Sequence, residues 1–72
     1  MENITQILVR IIVIRRVIEE MVRRYNFTYE KARREMYETD LIKMIDDKDT
    51  GLMAQSPFYI IDIYDRLIKY KK

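Results

Sequence analysis

The residues in this chain that could do chemistry are carboxylates, cations and hydroxyls, because it has no histidine and no cysteine. Paired carboxylates can hydrolyse glycosides without an imidazole, and Glu19/Glu20 and Asp62/Asp65 are the available pairs. Each of these carboxylates has a cation one helical turn further on: Glu19–Arg23, Glu20–Arg24, Asp62–Arg66 and Asp65–Lys69 all have the favourable i,i+4 order. A solvated, ion-paired helix face accounts for them with nothing left over. Ser56 has no histidine to activate it. Asp46, Asp47 and Asp49 resemble a calcium loop only superficially. Counted from Asp46, Gly51 is sixth as an EF-hand requires, but Lys48 takes the third position and Pro57 the twelfth. No glycine-rich phosphate loop is present. The sequence therefore predicts a non-enzyme with no catalytic residue, no metal and no cofactor.

A basic cluster offers a different chemistry. Arg23, Arg24, Lys31, Arg33 and Arg34 are interleaved with Tyr25, Phe27 and Tyr29, and cations alternating with aromatics can grip phosphates and stack bases. Glu30 and Glu35 dilute the same stretch. A helix-turn-helix would also need a recognition helix, and the short apolar "DLIKMI" offers little for reading bases. Net charge is only +2, from 14 basic and 12 acidic residues. A small nucleic-acid-binding regulator is the alternative reading, not the first.

The elements that position these groups are legible in the periodicity. From Ile4 to Tyr25 apolar residues at 4, 7, 11, 14, 18, 21 and 25 alternate steps of three and four, which is the helical period. Asn26 suits a left-handed stop. Thr28 can cap a second helix, with Glu30 in its first turn. "ETDLIKMID" reads as a short third helix capped by Thr39 or Asp40, followed by a polar turn in which Gly51 supplies a positive φ. Ser56-Pro57 pairs an N-cap with proline at the first helical position. The expectation is an all-α, compact bundle of four helices spanning about 4–25, 29–38, 40–46 and 57–70, the first and last longest, in one domain over 1–72. The charge-free loop that follows Asp49 is expected to be packed, with Leu52 and Met53 dipping into the core.

A chain of 72 residues buries only about 60% of the surface its unfolded form exposes. Even so, the first helix has more apolar surface than one face needs: Val9, Ile12, Val13 and Val17 lie off its main stripe, and the last helix is apolar over most of its girth. Surface helices ordinarily show an apolar arc only somewhat over about 100° wide. We therefore expect a protein interface at Val9, Ile12, Val13 and Val17, joined by whichever of Tyr59, Ile61, Ile68 and Tyr70 stay uncovered. The run "ILVRIIVI" at 7–14 is too short to span a bilayer and contains Arg10. Glu2 before it and Arg15-Arg16 after it have the wrong polarity for a signal peptide. A soluble, cytoplasmic protein is expected.

The segment "DKDTGLMAQSPFYIIDIYDRL", 47–67, resembles a class of small bacterial proteins of unknown function with a D-x-x-TGL-x-x-x-SP-x-Y stretch before the final helix. The matching residues are Asp47, Thr50, Gly51, Leu52, Ser56, Pro57 and Tyr59. The likeness covers about the last two-thirds of the chain and consists mainly of turn and cap chemistry. Some members look like partners of toxin-type enzymes, so the resemblance implies an antitoxin- or inhibitor-like protein. It supplies no catalytic residues to carry over. The combined expectation is a protein-binding module that forms a homodimer, or binds and neutralises a larger enzyme or toxin, or does both.

Overall fold

A computed structural model describes residues 4–70, with side chains as far as Lys69. Four helices follow one another: α1 Ile4–Tyr25, α2 Tyr29–Glu38, α3 Leu41–Asp46 and α4 Pro57–Tyr70. Two single 3-10 turns, Lys48–Thr50 and Leu52–Ala54, join α3 to α4, and no strand occurs among the described residues. The all-α bundle expected from the sequence is what forms. The 3-10 turns were not anticipated.

Short-range chemistry sets the boundaries. α1 stops where Asn26 takes φ 57°. Thr28 then caps α2, its hydroxyl accepting from the Lys31 N–H at 3.1 Å. Thr39 turns the corner into α3: its N–H and its hydroxyl both donate to Glu35 O, at 3.1 and 2.7 Å. The same hydroxyl oxygen accepts from the Leu41 N–H at 3.4 Å, whereas the Asp40 side chain makes no cap bond. Between the two 3-10 turns Gly51 sits at φ 64°. A Cβ there would meet nothing within 4 Å, so glycine is favoured by its dihedral freedom alone. Asp47 accepts from the Asp49 N–H at 2.9 Å, and Thr50 Oγ1 lies 2.6 Å from Met44 O. At the far end the Ser56 hydroxyl accepts from the Tyr59 N–H at 3.3 Å and starts α4.

The core is assembled from Val17, Ile18 and Met21 of α1, Ala32 and Met36 of α2, Leu41 and Ile45 of α3, Leu52, and Ile60, Ile61 and Tyr64 of α4. α1 packs on both α2 and α4, and α3 packs on the second 3-10 turn. Leu52 is buried and Met53 half-buried, so this loop is indeed part of the packing.

Two expectations need correction here. Val17 and Ile61, proposed as interface residues, are both fully buried. The predicted stripe on α1 is core only in its second half: Ile18 and Met21 are buried, but Ile4, Ile7 and Ile11 are exposed. The cause is length. The 22 residues of α1 rise to about 33 Å, whereas the 10 of α2 reach only about 15 Å. The shorter helices gather at the C-terminal half of α1 and leave its start uncovered.

Candidate protein interface

The charged residues first identified as possible chemistry serve as structural ties. Glu20 is 8% exposed and is held bidentately by Arg23, with Nε to Oε1 at 2.7 Å and Nη2 to Oε2 at 2.5 Å. Glu19 instead faces Arg15 at 3.6 Å. Arg24 reaches across to Asp62 on α4 at 3.2 Å, and the Tyr25 hydroxyl donates to Asp65. None of the four expected i,i+4 pairings is the one formed by these carboxylates. Tertiary partners and the neighbouring turn displaced them.

The Arg23 bond, aided by the charges of Arg23 and Arg24, holds the Glu20 carboxyl below its ordinary value of 4.5 against the opposing effect of burial. A carboxylate whose folded pKa is depressed contributes stability that is present above the unfolded value and lost as pH falls through the folded one. Wild-type protein should therefore lose melting temperature as pH drops below about 4.5, and Glu20→Gln should show a shallower acid slope from a lower starting point. Equal slopes in a thermal-melt series would show that the pair contributes nothing.

Three of the five cations proposed for nucleic acid are engaged by other partners. All five are exposed, but Arg23 is committed to Glu20, Arg24 to Asp62, and Lys31 sits 4.8 Å over the Phe27 ring. Tyr25 stacks on Phe27 at 5.2 Å and meets Tyr64 edge-on at 5.5 Å, so two of the three interleaved aromatics are packing. Arg33 and Arg34 remain together on α2, in a depression they share with Glu30, Glu38 and Tyr37. Asp46 and Asp47 are likewise occupied: Arg10 clamps Asp46 at 2.6 and 3.1 Å, and Asp47 caps a 3-10 turn. No group of three metal-ligating side chains occurs among the described residues.

The apolar surface is concentrated elsewhere, at the start of α1. Ile4 is 74% exposed, Leu8 55%, Ile11 52% and Ile12 48%. The positions 4, 8, 11 and 12 fall on one helical face, left open because the shorter helices pack on the second half of α1. Ile7 and Val9 flank that face and are also exposed. Val9, Ile12 and Val13 in addition border a hollow of about 280 Å³, closed on its other side by Met53, Ala54 and Pro57. The charge-free loop and the start of α1 thus form one surface.

Of the remaining expected interface residues, Val13 and Ile68 are half-buried against the core, and Tyr59 is exposed on α4. The side chain of Tyr70 lies outside the described residues. Ile4, Leu8 and Ile11 were missed by the sequence reading, which gave 4 and 11 to the core. The available signal was length, since 10- and 14-residue helices cannot cover one of 22.

Fold and surface together define a small helical bundle with an uncovered aliphatic helix end. No helix among the described residues is long and apolar enough to cross a membrane. No family model matches the chain, and neither the curated proteins nor the solved structures contain a match to it.

Proposed function

We propose that this chain is a non-enzymatic protein-binding module that self-associates through the outward face at the start of α1. The observation that carries this reading is that face itself, formed by Ile4, Leu8, Ile11 and Ile12 and flanked by Ile7 and Val9. At their exposures these side chains leave roughly 500 Å² of apolar surface uncovered, a patch of the size that is often functional. Two such faces together bury about 1,000 Å², the lower bound for a specific interface. The segment 4–9 holds no ionisable side chain, Arg10 is clamped by Asp46, and Arg15 and Arg16 begin where the face ends. Two antiparallel copies can therefore meet isologously without burying an unpaired charge.

A second reading rests on the hollow beside Val9 and Ile12. Pro57 walls it and belongs to the segment that resembles small bacterial proteins of unknown function, some of them partners of toxin-type enzymes. A larger enzyme neutralised by this protein would be gripped there.

Light scattering over a concentration series tests self-association. Wild type is expected to approach the mass of a dimer at tens of micromolar. Ile12→Glu should stay monomeric at concentrations at least tenfold higher, with an unchanged circular dichroism spectrum. Ile12 is the right position because it is exposed, whereas Val13 is half-buried and its substitution would also disturb the core. A wild type that remains monomeric throughout, or an Ile12→Glu protein of the same mass as wild type, defeats the proposal.

A further inference from the structure

Between α1 and α2 runs a second recess, separate from the hollow at the loop. Its volume is about 290 Å³, at the small end for a ligand pocket and suited to one large side chain. Ile11, Ile14 and Ile18 form the α1 side. Tyr29 and Tyr37, both more than half exposed, stand on α2 with Arg33 between them. The spacing 29, 33, 37 places all three on one helical face over two turns, about 12 Å.

The charges lining this recess are of one sign. Arg10, Arg15 and Arg33 border it, and no carboxylate does. Asp46 engages Arg10 from outside the recess. Arg15 is bridged to Glu19 only at 3.6 Å with both side chains more than half exposed, a pair that is worth little and exchanges readily. Arg33 has no carboxylate within salt-bridge distance among the described residues. An apolar floor with tyrosine walls and a cationic rim is complementary to a helix that buries one apolar residue and flanks it with acids.

We infer that the α1–α2 recess is a docking site for an acidic, apolar-anchored helical segment of another protein. The apolar anchor packs between Tyr29 and Tyr37 onto Ile11 and Ile14, and carboxylates on either side of it pair with Arg33 and Arg15. Single-stranded nucleic acid fits less well. Bases stack on aromatic planes, but this floor is branched aliphatic, formed by Ile11, Ile14 and Ile18. The recess shares Ile11 with the outward face of α1, so docking is tested on a chain unable to self-associate as well as on wild type.

The test is selection from a displayed library of random sixteen-residue peptides, with counter-selection on Arg33→Glu. It is run in parallel on wild type and on the Ile12→Glu chain, so that loss of self-association is read apart from loss of the recess. Enriched peptides should be net acidic, with a leucine or aromatic residue centred among the acids. By fluorescence anisotropy the best of them should bind at least tenfold more weakly to Arg33→Glu and to Tyr37→Ala. Arg34→Glu removes the same charge outside the recess and should change affinity less than threefold. Enrichment of neutral or basic peptides, no enrichment over the counter-selected variant, or equal losses for Arg33→Glu and Arg34→Glu would each overturn the inference. So would a single-stranded oligouridylate that binds in an Arg33-dependent manner more tightly than any selected peptide.

Discussion

Replacing Val17 with glutamate is expected to unfold this protein, while the same replacement at Ile12, five residues earlier on the same helix, should leave it folded. Val17 has no exposed surface and packs in the cluster with Met21, Ile60 and Ile61. A carboxyl placed there must be desolvated without a partner or protonated, at a cost of several kcal/mol. Domains of this size are stable by only about 4–10 kcal/mol, and the lost valine packing adds to the penalty. Ile12 is 48% exposed, and a glutamate there remains in water. The far-UV circular dichroism of the two variants, measured side by side, checks the prediction. A folded Val17→Glu protein with a wild-type melting curve would mean that α1 presents a different face to the bundle.

Tyr64→Ala is expected to be the most damaging truncation to alanine. The side chain is 1% exposed and among the largest buried ones. Its hydroxyl donates to Glu35 Oε1 on α2 at 2.5 Å, and its ring meets Tyr25 of α1 edge-on, so one residue of α4 connects three helices. Removing a buried aromatic costs about 3–5 kcal/mol, enough to leave a domain of this size barely folded. Tyr64→Phe should cost only about 1 kcal/mol, because the half-buried Glu35 regains water when its donor is lost. Chemical denaturation separates the two. Alkaline melts give a second readout. Burial, followed by the bond to Asp65, pushes the Tyr25 hydroxyl up to about 12. Burial and Glu35 push Tyr64 upward as well. A group whose folded pKa is raised contributes stability that is complete below its unfolded value and lost as pH climbs through the folded one. Wild type should therefore lose stability above about pH 10, and Tyr64→Phe should lose it less steeply. Identical alkaline slopes would remove the buried hydroxyls from the account.

What could be read from the sequence was whatever a few adjacent residues decide. Asn26 as a left-handed stop, Thr28 as a cap, Gly51 at positive φ and Ser56-Pro57 as a helix start all involve partners within three or four positions, and all four occur in the structure. The ion pairs were read on the same assumption of local partners, and there it failed. Asp62 is taken by Arg24, 38 residues away, and Asp65 by Tyr25, 40 residues away, and no spacing rule reveals such distances. The face of α1 was ambiguous for a different reason. With aliphatic residues over most of the wheel from Ile4 to Ile14, Thr5, Gln6 and Arg10 are too few polar residues to orient it. The excess of apolar surface was therefore visible, but its location was not. Val17 was placed outside and Ile11 inside, the reverse of the structure. The recess between α1 and α2 was beyond reach altogether, because Tyr29 and Arg33 lie far along the chain from Ile14 and meet it only when the two helices pack.

The packing of α1 against α4 also has a consequence for how the protein is made. Of the four helices described, α1 is synthesised before α4 and is closed over by it, since Val17 and Met21 share their cluster with Ile60, Ile61 and Tyr64. Until α4 emerges, a nascent chain carries the aliphatic start of α1 together with its unfinished inner face, both open to other chains on the same message. Translation halted before Pro57 would release a product with no lid for that inner face. Such fragments would be held by chaperones or cleared by proteases, so intact protein accumulates only from messages read through α4.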